Sequence, residues 1–416
     1  METNRRSFVA MVGGATASAV AGSSLELKAG YTYPPAAIPG RKSALDVLRS
    51  PTGLRVQRVE TFLGRNLALV RVQTDSGVAG WGQIAPYDAD ITTTVLHRKV
   101  ARLVLGQDPA DLDLFVDRCV EENYKYPWSY VCRALAGVET ALWDLLGKHY
   151  GKPVCELVGG RPRELRVYGS SMSRTIRPRE EAERLVRLRD EKGFSAFKIR
   201  VGKVNGHDQD QWPGRTEAII PTVRRAVGDA VALLADANSC YTPPRAIEVG
   251  RRLEENGYVH FEEPCPYWEL EWTARVAESL RIPVAGGEQD NDLAQWRRMI
   301  GMPAVDIVQP DICYIGGFLR ALRVAEMARE RGLPVVPHSA NLSLVTVFSL
   351  HLMAAIPNAG QWVEYSIEDD EWTKNLFAPA LKVREGQIAV PDGPGWGVVP
   401  EVRWIEQAER SVTDQE

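Results

Sequence analysis

Three apolar runs decide the fold: Val231-Ala232-Leu233-Leu234-Ala235-Asp236, Tyr258-Val259-His260-Phe261-Glu262-Glu263-Pro264 and Pro283-Val284-Ala285-Gly286-Gly287-Glu288. Each run reaches an acid at its carboxyl end, and Asp236, Glu262 and Glu288 are spaced 26 residues apart. One strand, one helix and two short loops take about that many residues in a βα unit. Three successive parallel strands would therefore set three carboxylates at one rim. Carboxylates that converge repel one another unless a cation lies between them, and hard oxygen donors suit Mg²⁺. A lone acid at a strand end reads as a helix cap or a solvated loop residue, but three in register point to a divalent metal site.

Outward from these runs, the strand–helix alternation continues on both sides. Candidate strands fall at 165–171, 194–200, 231–236, 258–263, 282–287, 304–309, 333–337 and 361–365, with helices such as Pro244–Glu255 and Leu319–Arg331 between them. Gly257 and Gly332 stand just past those two helices, where a left-handed cap is wanted. Eight apolar strands at near-constant spacing predict a closed parallel barrel. A barrel needs only about 250 residues, so a chain of 416 implies a second domain. Before it, 55–60, 67–72 and 78–83 read as strands with a turn at Asp75-Ser76-Gly77, and 89–105, 110–122 and 128–149 read as helices. In the last helix Ala134, Val138, Ala141, Leu142 and Leu145 form one apolar stripe. The expected organisation is a capping domain at 53–160, a barrel at 165–370, and a Gly/Pro-rich segment at 371–416 that packs back on the capping domain.

A hydrophobic fraction of 44% with 25% charged residues is that of a soluble globular chain. The net charge of −4 leaves no basic footprint for nucleic acid, and no basic run marks an anionic membrane. Six cysteines without C-x-x-C spacing indicate neither a zinc site nor a redox pair. Arg5-Arg6 precedes a short Gly/Ala-rich apolar run from Phe8 to Gly22, too short to span a bilayer. That layout is similar to a twin-arginine signal peptide over about residues 1–24, and it predicts a periplasmic protein with no stable membrane anchor.

At the remaining strand ends stand Lys198 and Arg200 on one face, then Asp311, His338 and Glu364. Taken singly, Asp311 after Pro310 is a helix cap and His338 a structural histidine; together they line one rim. These residues resemble the enolase superfamily, in its mandelate racemase/muconate lactonizing enzyme group. Glu262-Glu263-Pro264, Asp236 with Asn238, and Gly287-Glu288 match its three metal-ligand motifs, and Asp311/His338 its His-Asp dyad. The resemblance covers about residues 53–405. It implies a (β/α)₇β modified TIM barrel, an α+β capping domain built from the N-terminal segment and the C-terminal tail, and Mg²⁺ on Asp236, Glu262 and Glu288. It further implies proton abstraction next to a carboxylate, with catalytic Lys198, Arg200, Asp311, His338 and Glu364.

Many members carry Lys-x-Lys where this chain has Lys198-Ile199-Arg200. A guanidinium stays protonated and makes a poor proton acceptor, which argues against two-base racemisation. Dehydration of an acid sugar or related hydroxy acid to a 2-keto acid is the first expectation. An epimerase or racemase of a 2-hydroxy acid, and a noncatalytic sugar-acid binder, are the alternatives. Glu364 could hydrogen-bond the substrate carboxylate, provided it is protonated or shares a proton. Substrate contacts are expected from Asn238, Ser171 and Gln83, with specificity coming from loops near Trp81–Tyr87 and from Ser170, Ser171 and Ser173 at the end of the first barrel strand. The partner is a small-molecule carboxylate, and the working form a homo-oligomer.

Overall fold

The computed structural model describes residues 50–415. Strands β1 (Val56–Leu63), β2 (Ala68–Thr74) and β3 (Ala79–Gln83) form an antiparallel meander. The first long helical stretch is broken into Ala89–Val95, a π-helical segment Leu96–Val100, and Ala101–Val104. Leu112–Glu122 and Tyr130–Tyr150 follow.

Instead of one buried stripe, the Tyr130–Tyr150 helix has nearly every residue from Val131 to Gly147 buried. The reason is its position: the meander covers one side, and the segment Ile312–Ile315 and barrel helices cover the other. A helix buried all round needs no polar face. Its approach to the sheet is close enough that a Cβ on Gly82 would lie 2.3 Å from the Gly137 carbonyl, so glycine is required there.

The barrel follows as β4 (Glu164–Ser170), β5 (Ala196–Arg200), β6 (Ala232–Asp236), β7 (Tyr258–Glu262), β8 (Val284–Gly286), β9 (Ile307–Val308) and β10 (Val363–Ser366). Neighbours pair in parallel, and β10 returns to pair with β4. The expected strand at 333–337 is reduced to two bridges, Val335 with Val308 and with Ala359. Pro334 and Pro337 carry no N–H, so a longer ladder there lacks donors. The ring closes through Val335, and the fold is a modified TIM barrel with a capping domain.

Beyond β10, β11 (Phe377–Ala378) pairs with β13 (Val399–Pro400). The tail's β12 (Gln387–Ala389) adds antiparallel to β4, and β14 (Glu409–Asp414) adds antiparallel to β1. The C-terminal segment therefore touches both domains. All six cysteines are free and buried, and no helix among the described residues is long and apolar enough to cross a membrane. Arg5, Arg6 and the apolar run behind them lie outside the described residues.

Inside the barrel, period two sorts residues into layers. Tyr168, Ala196, Leu234, Ala285, Ile307, Val336 and Trp362 form an apolar plug. Two residues further along β5 and β6, Lys198 and Asp236 project into the next layer, level with Glu262 beyond His260 on β7. That second layer is charged, and it lies at the strands' carboxyl ends.

Candidate active site

Asp236, Glu262 and Glu288 each offer a carboxylate oxygen within 4.8 Å of the other two, and all three side chains are buried. Glu288 reaches the group through Gly287, whose φ of 111° is open to glycine and whose Cβ would strike the Trp296 ring at 2.1 Å. Immediately after the other two acids the chain adopts left-handed backbone at Asn238, Ser239 and Glu263. Such conformations at non-glycine residues cost free energy and gather at functional sites.

Two cations from β5 enter this acidic space. Lys198 Nζ donates to both oxygens of Glu262, at 2.8 and 2.7 Å, and lies 2.8 Å from Glu364 Oε1. Arg200 donates from Nε to the Ser171 carbonyl and from Nη1 to Asn238 Oδ1, and Nη1 makes an ion pair with Asp236 Oδ2. Gln309 Nε2 donates to Glu262 Oε2 at 3.0 Å. Burial pushes the Glu262 carboxyl up, but Lys198 and His260 outweigh it and hold the group well below the usual carboxylate range. In Glu263 burial, with Glu288 and Glu262 beside it, outweighs the pull of His338 and a hydrogen bond from Asn238, and its carboxyl is pushed well above that range. Glu288 is also raised, by burial and by Glu262, against the pull of His338.

A dyad stands next to this cluster. His338 Nδ1 lies 2.8 Å from Asp311 Oδ2, and His338 Nε2 lies 3.3 Å from Glu288 Oε2. Burial disfavours the imidazolium, yet Glu288, Asp311 and Glu364 together raise His338 to about 10. Asp311 Oδ1 meanwhile accepts from the N–H groups of Cys313 and Tyr314, so the same carboxylate caps a helical turn and holds the imidazole. The two readings of Asp311 are both realised.

Other expected residues fall differently. Glu364 is not a protonated donor: burial raises it, but Lys198 and His338 bring it down to about 2, and it accepts from Ser170 Oγ and Ser339 N. Its place is beneath the site, fixing Lys198. Gln83 does not face the pocket; it is buried at the domain junction, donating to Ser343 Oγ and accepting from Leu344 N. Ser171 Oγ is taken by Arg184. Asn238 does line the pocket, as do Arg200, Glu263, Glu288 and His338. Of the Trp81–Tyr87 stretch only Pro86 and Tyr87 reach it. The cavity measures about 540 Å³.

Among the wall residues that the strand-end reading passed over are Arg174 and Tyr314. Tyr314 presents one ring face to the Arg133 guanidinium at 3.9 Å and lies 5.9 Å from the His338 ring. Arg174 sits in the loop past β4 and Tyr314 in the one-turn helix Ile312–Ile315 past β9, both too short for a periodic signal to mark them. The one available cue was position, two to four residues beyond a rim residue already singled out.

The donor set fits a hard divalent cation. All three ligands are carboxylates, they converge without a bridging proton donor common to all three, and Glu263 Oε1 and Gln309 Oε1 beside them are buried with no hydrogen-bond partner.

Known proteins agree with this arrangement. The family model described as "Enolase C-terminal domain-like" matches residues 180–404, and the "Mandelate racemase / muconate lactonizing enzyme, N-terminal domain" model matches residues 46–159. An arabinonate dehydratase of Saccharolobus solfataricus is 30% identical over 80% of this chain and 87% of its own. A solved structure from Roseobacter denitrificans, described provisionally as a racemase, is 55% identical with a TM-score of 0.85, covering 87% of this chain and all of that one. A mandelate racemase/muconate lactonizing protein of Paracoccus denitrificans, complexed with magnesium, is 28% identical with a TM-score of 0.79 over 87% of this chain and 98% of its own. The chain belongs to the mandelate racemase/muconate lactonizing enzyme family of the enolase superfamily.

Proposed function

We propose that this protein is a Mg²⁺-dependent dehydratase of an acid sugar. One observation carries the reading: a buried His338–Asp311 pair stands against the edge of a three-carboxylate site, with Nε2 on the side of Glu288. The activity named for the Saccharolobus arabinonate dehydratase and the magnesium of the Paracoccus structure support it.

The reaction removes the proton at C2 and the hydroxyl at C3, and the resulting enol becomes a 2-keto acid with release of one water. The C2–H next to the substrate carboxylate is too weakly acidic to lose its proton unless the enediolate's charge is met; Asp236, Glu262 and Glu288 would hold the Mg²⁺ that supplies that charge. His338 is the group that exchanges protons with the substrate. Asp311 fixes its tautomer by accepting a hydrogen bond from Nδ1–H, which leaves Nε2 as the nitrogen that would meet the substrate. Metal binding draws on the same Glu288 charge that now favours imidazolium. Lys198 is held between Glu262 and Glu364 and steadies the charged layer without opening onto the pocket. Arg200 lines the pocket as a fixed cation and donor.

The test is keto-acid formation from a panel of acid sugars by Mg²⁺-loaded enzyme, repeated after chelation. Keto acid that forms only with the metal supports the reading. Inversion at C2 with solvent deuterium and no keto acid would replace it with an epimerase, in keeping with the racemase description of the Roseobacter relative. Tight binding of a sugar acid without any turnover would leave a binder.

Export by the twin-arginine route is a further proposal, resting on Arg5-Arg6 and the apolar run to Gly22. Arg5→Lys with Arg6→Lys should leave unprocessed protein in the cytoplasm. Wild-type protein retained there with residues 1–24 intact would remove the proposal.

A further inference from the structure

One cation in the pocket has no task in the reaction described above. Arg174 lies in the turn after β4, half-buried in the cavity wall. Its Nη2 donates to Asn238 Oδ1 at 2.7 Å and reaches the Asp236 carbonyl at 3.5 Å. Asn238 Oδ1 is shared with Arg200 Nη1 at 3.0 Å, so one amide oxygen orients two guanidiniums. Arg174 Nε is shielded from solvent and has no acceptor.

The charges around Arg174 are unbalanced. Arg200 is paired with Asp236, Lys198 with Glu262 and Glu364, and Arg184 with Glu181 and Glu368. Among the described residues Arg174 makes no ion pair. Its charged neighbours are Arg200 and Arg215, and burial followed by those two like charges pushes it down to about 9. An uncompensated guanidinium held in place by a fixed side chain disfavours the empty pocket, and an arriving carboxylate would relieve it.

The first carboxylate of the substrate belongs with the metal ligands. A second anionic group is then what the wall is built to receive. Resting on the acid-sugar reading, we infer that Arg174 binds the second carboxylate of a linear sugar diacid, so the substrate class is aldaric rather than aldonic. Charged hydrogen bonds in planar, two-pronged geometry are what distinguish a carboxylate from the hydroxymethyl group at the same carbon.

Matched pairs that differ only at C6 test this: galactarate against galactonate, and glucarate against gluconate. Equilibrium binding is measured on Mg²⁺-loaded His338→Asn protein, which removes turnover from the readout. One diacid should bind roughly 10²-fold more tightly than its monoacid. Arg174→Gln should erase most of that preference, with far less effect on the monoacid. Arg174→Lys, which keeps the charge, should retain part of it, and it serves as the reading if the Gln variant does not fold. Equal affinity within every pair, no diacid binding at all, or an equal loss for diacid and monoacid in Arg174→Gln would each overturn the inference. The last result would make Arg174 a positioning residue for Asn238. Wild-type keto-acid assays separate the two claims. Diacid preference in binding without keto acid sinks the dehydratase reading alone, whereas keto acid formed equally well from both members of a pair sinks the role of Arg174 alone.

Discussion

At the seam between capping domain and barrel, Glu139 accepts from Phe318 N, Leu319 N and Trp143 Nε1, at 2.7–2.8 Å, so that neither oxygen is left bare. At the barrel rim, Glu263 Oε1 and Gln309 Oε1 are equally buried and have no partner. Both regions hide carboxylates from water. In the seam, neutral backbone and indole donors meet Glu139, and Asp144 is met by Trp81 N, Trp396 N and the Lys148 ammonium. At the rim, acids face other acids and two crowded cations, Lys198 and Arg200. The seam is therefore complete as folded, whereas the rim would be completed by the cation and substrate proposed above.

The largest expected effect separates the regions by function. Glu262→Gln removes one metal ligand and the main partner of Lys198, so Mg²⁺-dependent turnover should fall to background. His338→Asn should keep metal binding while kcat drops roughly 10²–10⁴-fold, the usual contribution of a positioned acid–base group. Steady-state assays with a direct Mg²⁺-binding measurement distinguish them. Wild-type rates in either variant would mean that the rim is not where chemistry occurs.

Next comes a seam change of the opposite kind. Glu139→Ala strands three buried donors and should cost about 4 kcal/mol of stability. The surviving folded fraction should bind Mg²⁺ as before. Chemical denaturation read beside metal titration checks both halves, and an altered Mg²⁺ affinity would show the two regions to be coupled.

Much of this contrast was legible in the sequence at the rim and little of it at the seam. Strand ends recur with a period, so Asp236, Glu262 and Glu288 could be aligned by counting, and Asp311, His338 and Glu364 followed. Glu139 and Asp144 lie within a helix for which the sequence showed a single apolar stripe that includes neither. Only the sandwiching of that helix between two domains buries them. Gln83 was misassigned for a related reason: a polar residue at the end of β3 looks like a pocket contact until Ser343 and Leu344 are seen to engage it. The strand at Val335 was overextended because apolar content was counted and the missing proline donors were not.

Metal should also distinguish the regions thermodynamically. Mg²⁺ at 100 times its Kd should stabilise the folded protein by about 2.7 kcal/mol, since it binds only the native arrangement of acids. Glu263→Gln should raise the melting temperature of metal-free protein, because it removes a carboxyl crowded by Glu288 and Glu262. A metal-free melting temperature lowered by that substitution would count against repulsion as the rim's defining feature.

The smallest effect lies in the seam and depends on pH. His351 is buried, accepts from Cys155 N at Nδ1 and donates to the Trp396 carbonyl from Nε2, which requires the neutral ring. Burial lowers it to about 4 from the ordinary 6.5. Below 6.5 the unfolded chain binds a proton there that the native site refuses, so this stability is present above 6.5 and is lost as pH falls toward 4. Glu139 acts in reverse. Burial raises it to about 7, so its contribution is complete below 4.5 and is lost as pH rises through 7. In wild type the two slopes oppose each other across the same window. His351→Gln can keep both hydrogen bonds but cannot titrate. Relative to wild type, its stability should be constant above pH 7 and should improve on acidification, by roughly 2 kcal/mol at pH 5. Comparing the two melting curves at each pH cancels Glu139 and the rim groups, which both proteins share. A difference that stays flat from pH 7 to pH 5 would mean that His351 accepts its proton in place, and that the seam is less rigidly completed than its hydrogen bonds imply.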